Sequence, residues 1–141
     1  VLEKGILMTE SYKPIIWKEN KLYLLDQRFL PHEERDVEVR DLKGCAAAIK
    51  DMVVRGAPCI GFTAIYGMAL WVNAQSKLTL ENCRAACDEM ISARPTAVNL
   101  SFEVNRCFDI MKNSLQAGQD KDSIYKALVE FGHDQIRESH E

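Results

Sequence analysis

The sequence predicts an α+β protein, mainly helical, with a small antiparallel N-terminal sheet of two to three strands followed by a bundle of about five helices. Two patterns carry that expectation. Short β-prone runs flank a polar turn within residues 15–26, and from residue 41 onward apolar residues recur at helical spacing between short breaks. Length agrees, since 141 residues of which 47% are hydrophobic suffice for one domain with its own core.

Ile15, Ile16 and Trp17 form the first strand, Lys18, Glu19, Asn20 and Lys21 a polar four-residue turn, and Leu22, Tyr23, Leu24, Leu25 and Asp26 the second strand, with Pro31 ending it or its extension. Val37 and Val39, in a charged stretch, predict a short third strand. Asp41 is the N-cap of a first helix carrying Leu42, Cys45, Ala46, Ile49, Met52 and Val53, with Gly56 near its stop. Pro58 opens a second helix reaching about residue 74, because the N–H it lacks has no intrahelical partner at the first position. Gly61, Ala64 and Gly67 follow at three-residue steps. Since each helical glycine costs about 1 kcal/mol relative to alanine, they predict a face against which a neighbouring backbone packs closely.

Thr79 caps a third helix to about residue 92, with Leu80, Cys83, Cys87, Met90 and Ile91 as apolar positions. A fourth runs from about residue 97 with Val98, Leu100, Val104, Phe108, Ile110, Met111 and Leu115, and stops at Gly118. The last, over residues 121–139, carries Ile124, Leu128, Phe131 and Ile136. Residues 1–14 read as an N-terminal extension and residues 15–141 as one domain, with strands at about 15–39 and helices at about 41–140.

A net charge of -3, a pI near 5.7 and no basic stripe argue against nucleic acid as a partner. No apolar run reaches the roughly 18 residues of a membrane span, and the N-terminus lacks the layout of a secretory signal, so the expectation is a cytoplasmic protein without a membrane partner. The five cysteines, Cys45, Cys59, Cys83, Cys87 and Cys107, lack zinc-site spacing and predict reduced, mostly buried thiols. Cys83 and Cys87 would share a helical face where two metal ligands could meet. Only His32, His133 and His140 could complete such a site, and none is near in sequence, so no metal is expected.

The most informative stretch is Val54-Arg55-Gly56-Ala57-Pro58-Cys59-Ile60-Gly61. An Arg, a Gly and a small residue ahead of a helix start build an anion site: the first N–H groups are free, Gly56 admits close approach, and Arg55 adds a fork of charged donors. The same residues also suit a plain helix-to-helix turn with a surface Arg. Arg94-Pro95-Thr96-Ala97 repeats the arrangement ahead of the next helix. If both breaks lie at one end of the bundle, the natural ligand is a phosphorylated small molecule; otherwise they are two unrelated turns. Catalytic candidates are weaker. Asp26, Glu33 and Glu34 read as solvated charges, His32 as a loop histidine, and Cys59 as a packed thiol, although a helix start could lower its pKa.

Residues 48–61, built around Arg55-Gly56-Ala57-Pro58, together with Ala93-Arg94-Pro95-Thr96-Ala97-Val98-Asn99-Leu100, resemble the methylthioribose-1-phosphate isomerases of methionine salvage. Asp26-Gln27 with Leu30-Pro31 matches the opening strand and loop of that family, and the resemblance runs from about Ile15 to the C-terminus. It implies conversion of a cyclic sugar 1-phosphate into its open-chain ketose without metal or organic cofactor, with Arg55, Gly56, Ala57 and Arg94 contacting the substrate. Members commonly carry Ala at the place of Cys59, which counts against a catalytic thiol there. The resemblance further implies a homodimer and a following Rossmann-like domain bearing a catalytic Cys and Asp. That domain is not represented in these residues, so the chain reads as a truncated N-terminal portion, inactive alone. Two related branches offer alternatives: ribose bisphosphate isomerases, which need a second phosphate site, and regulatory subunits of the translation-initiation exchange factor, which act as protein-interaction modules.

Overall fold

The computed structural model describes residues 14–139. All but the last residue of the expected N-terminal extension, and also His140 and Glu141, lie outside the described residues. Strands β1 (Ile15–Lys18), β2 (Lys21–Leu25) and β3 (Asp36–Val39) form an antiparallel meander in the order β1-β2-β3. Ile15 pairs with Leu24, Trp17 with Leu22, and Leu22 and Leu24 with Val39 and Val37, so one face of the pleat is apolar along all three strands. The β1–β2 turn is tighter than the expected four residues. Lys18 and Lys21 still pair, and Glu19 and Asn20 alone turn the chain, both at positive φ as a two-residue hairpin requires. β2 also ends earlier than Pro31, at Leu25, because Asp26 caps a 3-10 turn over Gln27–Phe29.

Five helices follow: α1 (Leu42–Lys50), α2 (Ala57–Ala74), α3 (Leu80–Ile91), α4 (Val98–Gln116) and α5 (Lys121–Glu138). Asp41 caps α1 through Gly44 N–H, Thr79 and Asn82 form a reciprocal capping box on α3, and Asp120 caps α5 through Ser123 N–H. α1 stops at Lys50, short of Gly56, through a Schellman motif: Val53 N–H donates to Ala48 C=O at 2.9 Å and Met52 N–H to Ile49 C=O at 3.3 Å. The left-handed position of that motif is held by Met52, at φ 64, rather than by a glycine. α4 ends in the same motif, with Gly118 at φ 78.

α2 is the axis of the bundle. It packs against α5, α4, α1, α3 and β1, and every residue from Ile60 to Ala69 is buried. Contrary to the run-length expectation, its 18 residues are long and apolar enough by composition to match a membrane span. Here the apolar surface lies inside the bundle, as for a core helix. Pro58 stands at its second position, not the first, because Gly56 is the N-cap and Ala57 opens the helix.

The small residues of α2 serve different neighbours. A Cβ on Gly61 would fall 2.9 Å from Glu103 Cγ and 3.7 Å from Asn99 C=O, so α4 is the neighbour that approaches there. At Gly67 the neighbours are side chains, Cys45 of α1 and Met90 of α3, rather than the expected backbone. Tyr66 turns the other way, its ring stacked on Trp17 at 4.9 Å, its hydroxyl paired with His133 Nδ1 at 2.8 Å, and its edge laid over Gly132 of α5. Three positions expected on apolar helical stripes are exposed instead: Met52 after α1, Leu80 at the start of α3 and Val98 at the start of α4.

Gly132→Ala tests this packing, because the new Cβ would lie 2.6 Å from Tyr66 Cε1 in a ring already held by Trp17 and His133. Overpacking costs about 1–3 kcal/mol against about 1 kcal/mol returned by helix propensity, so urea unfolding should show a net loss of up to about 2 kcal/mol.

Candidate functional site

Gly61 meets Asn99 and Glu103 across the α2–α4 contact, which places the two helix starts side by side. Between them lies a cleft of ≈ 450 Å³ lined by Met52, Arg55, Gly56, Ala57, Ile60, Arg94, Ala97, Val98 and Asn99. The four candidate residues Arg55, Gly56, Ala57 and Arg94 therefore share one cavity, and the convergence that the sequence leaves conditional is present. Thr96 is not among the lining residues.

Both helices enter the cleft without side-chain caps. α2 is preceded by Gly56, at φ 91, and α4 by Ala97, and neither start receives a side-chain hydrogen bond among the described residues. Their first intrahelical bonds are Ile60 N–H to Gly56 C=O and Leu100 N–H to Ala97 C=O. The N–H groups of Ala57, Cys59, Val98 and Asn99 thus precede any intrahelical acceptor and carry the positive end of each helix dipole. The other three helices are capped by Asp41, Thr79 and Asp120, so the two bare starts are those that open into the cleft.

The charge of the cleft opposes that of the chain. Two arginines and no carboxylate line it, in a protein of net charge -3. Arg55 Nη2 donates to Gln27 C=O at 3.2 Å, which braces the guanidinium from the side of the sheet. The Arg94 guanidinium and the Asn99 amide have no hydrogen-bond partner among the described residues. Such a set of donors fits an anion with several acceptor oxygens. Met52, Ile60 and Val98 add apolar surface to the lining.

The other candidates lie elsewhere. His32, Glu33 and Glu34 are exposed in the loop before β3, and Glu33 pairs with Arg35 at 2.9 Å. Asp26 is no solvated charge: it is 2% exposed and forked to Arg28. Cys45, Cys83, Cys87 and Cys107 are buried and free, and Cys59 is half-buried. Burial pushes the thiols of Cys45 and Cys87 up to about 12, and raises Cys59 rather than letting the helix start lower it. Among the described residues no group of three His, Cys, Asp or Glu could hold a metal. Met52, Ile60, Ala97, Val98 and Asn99 also line the cleft and were not among the candidate site residues. The only signal for Asn99 was its place two residues inside the helix that follows Arg94.

The sequence pattern of the initiation factor 2 subunit family matches residues 53–141. A methylthioribose-1-phosphate isomerase from Azotobacter vinelandii is 38% identical over 98% of this chain, and one from Aquifex aeolicus is 44% identical over 77% of it. The chain spans 39% of the length of the first and 22% of the second. Among solved structures, 5-methylthioribose 1-phosphate isomerase from Pyrococcus horikoshii OT3 is similar at TM-score 0.75 and 32% identity, over 89% of this chain and 36% of that one. The delta subunit of translation initiation factor eIF-2B from A. fulgidus is similar at TM-score 0.76 and 29% identity, with the same coverage.

Two measurements follow from the site. In the native protein a thiol-reactive chromogen should label Cys59 first and leave Cys45, Cys87 and Cys107 unmodified until denaturant is added; rapid labelling of all five would contradict the burial. Met52→Gly relieves a left-handed side chain at the cleft rim, worth about 1 kcal/mol, and should raise the unfolding midpoint in urea.

Proposed function

This chain belongs to the initiation factor 2 subunit family, and we propose that within it the chain is the N-terminal, phosphate-holding portion of a methylthioribose-1-phosphate isomerase. The observation that carries the reading is the pair of uncapped helix starts facing one cleft with Arg55 and Arg94. The fold by itself does not choose between an enzyme and an interaction module, since both solved neighbours match almost equally. A cationic cleft with free backbone donors is what a sugar phosphate uses, and a protein-interaction surface has no need of it.

In this reading the two guanidinium groups balance the phosphate dianion, while N–H groups of Ala57, Val98 and Asn99 bond its oxygens. Gly56 lets the phosphate approach the backbone where a Cβ would project. The apolar surface of Met52, Ile60 and Val98 suits a thioether end. A bisphosphate would want further cations, and among the described residues Arg55 and Arg94 alone bring positive side chains to the cleft, which favours the methylthio substrate.

The phosphate sits on the anomeric oxygen, so the ring cannot open as a free sugar does, and the enzyme must assist C–O cleavage and hydrogen transfer. The five thiols here are neutral at working pH wherever burial raises them, which leaves them unsuited to that step. We assign the chemistry to groups outside these residues and binding to the cleft, in a cytoplasmic enzyme of methionine salvage that needs no metal.

Titration calorimetry with methylthioribose 1-phosphate, ribose 1,5-bisphosphate and inorganic phosphate tests this. A charged hydrogen bond is worth about 1.5–3 kcal/mol, so Arg94→Ala should weaken binding of methylthioribose 1-phosphate by about tenfold or more. The 141 residues alone should bind without turnover. Absence of binding by any sugar phosphate would favour the interaction module, and turnover by the isolated chain would overturn the assignment of the chemistry.

A further inference from the structure

Asp26, at the end of β2, takes three hydrogen bonds from Arg28. The backbone N–H reaches Oδ1 at 3.0 Å, Nε reaches Oδ1 at 2.9 Å, and Nη2 reaches Oδ2 at 2.7 Å. Its own N–H donates to Arg35 C=O at 2.7 Å. These bonds close the 3-10 turn over Gln27–Phe29, and the backbone of Gln27 faces the loop between α1 and α2. Gln27 N–H donates to Val53 C=O at 2.8 Å, and Gln27 C=O accepts from Arg55 Nη2 at 3.2 Å. The only protein hydrogen bond of the Arg55 guanidinium among the described residues therefore goes to the Gln27 carbonyl, which also accepts from Leu30 N–H at 3.4 Å within the turn that Asp26 caps.

We propose that Asp26 is a positioning residue of the cleft: through the turn it shares with Arg28 it holds the Gln27 carbonyl, and that carbonyl aims the Arg55 guanidinium at the bound anion. The inference rests on reading the cleft as a sugar-phosphate site. A carboxylate is needed because the fork takes two anionic oxygens, whereas an amide accepts at one atom only. The Arg28 side chain, helped by Arg28 N–H and the charge of Arg35, holds the Asp26 carboxyl below its ordinary range although burial opposes it. Arg28 is itself half-exposed and feels Asp51, so the buried carboxylate is the partner with no water to fall back on.

Asp26→Asn keeps the cap on Arg28 N–H and removes the fork, and Arg28→Lys, which keeps the charge without the fork, serves as the second variant should the first fail to fold. The first readout needs no ligand. In 15N relaxation of the whole chain, the Arg55 Nε–H should be ordered in the parent and fall below an order parameter of about 0.6 in either variant, while the indole N–H groups of Trp17 and Trp71 stay unchanged. An Arg55 that is mobile in the parent, or equally ordered in the variants, overturns the proposal.

The second readout is a double-mutant cycle on methylthioribose 1-phosphate affinity. Asp26→Asn should weaken binding by about fivefold with Arg55 present and leave it unchanged in Arg55→Ala, as coupled neighbours do. Additive losses would overturn the proposal. A parent that binds no sugar phosphate would remove the functional reading, and the relaxation result would still decide the positioning of Arg55.

Discussion

Ten consecutive residues of α2, from Ile60 to Ala69, are shut away from water, and a helix in that state must be surrounded on every side. That constraint orders the rest of the fold. α5 and α4 cover two flanks, α1 and α3 a third, and the sheet closes the last through Trp17 on Tyr66. Burial of this kind stabilises by roughly 25 cal/mol per Å² of apolar surface and has no preferred direction. Direction comes from the small residues, because Gly61 and Gly67 admit particular neighbours and refuse a Cβ. The axis is thereby fixed along its length as well as in space, and its N-terminus is delivered to one place.

The same burial explains how the polar groups are treated. Tyr66 brings a hydroxyl into the core and meets His133, and burial drives its phenol far above the ordinary range, so it stays neutral as a hydrogen-bonding group. Thr63 Oγ1 is buried without a hydrogen-bond partner among the described residues, a local cost of about 1–3 kcal/mol that the packing of α2 absorbs. The thiols along α1, α3 and α4 behave as small apolar residues for the same reason. None of this chemistry reaches the cleft, and the core is structural throughout.

What the sequence made legible follows the range of the forces involved. The caps at Asp41 and Thr79, the helical stripe of Cys83, Cys87 and Met90, and the hairpin around residues 19 and 20 are local, so spacing and residue type revealed them. Arg55 and Arg94 were likewise legible as residues ahead of helix starts. That they share a cleft depends on α2 meeting α4 at Gly61; the glycine marks a close approach, and no local signal names the helix that makes it. The hydrogen bond from Arg55 to Gln27 spans 28 residues of sequence, and Asp26 hid its role by sitting in an ordinary polar stretch. Val98 misled in the opposite sense: an apolar residue at a core-like spacing stands 75% exposed beside the cleft, and Phe102, one turn on, is 56% exposed.

The cleft is also where the chain departs from local stability rules. Three helices have side-chain caps and the two that start at the cleft have none; a lost cap costs about 0.5–2 kcal/mol. Met52 holds a left-handed position that glycine would hold more cheaply, and Gly56 gives up backbone entropy to reach φ 91. Two arginines face each other's field with no carboxylate between them. The bare helix starts and the Arg94 guanidinium leave donors and positive charge open at the cleft. Strain also stands elsewhere, at Glu19 and Asn20 in the hairpin and at Thr63 in the core; the uncapped helix starts and the two arginines at the cleft differ in being of one electrical sign, which a single anion relieves together.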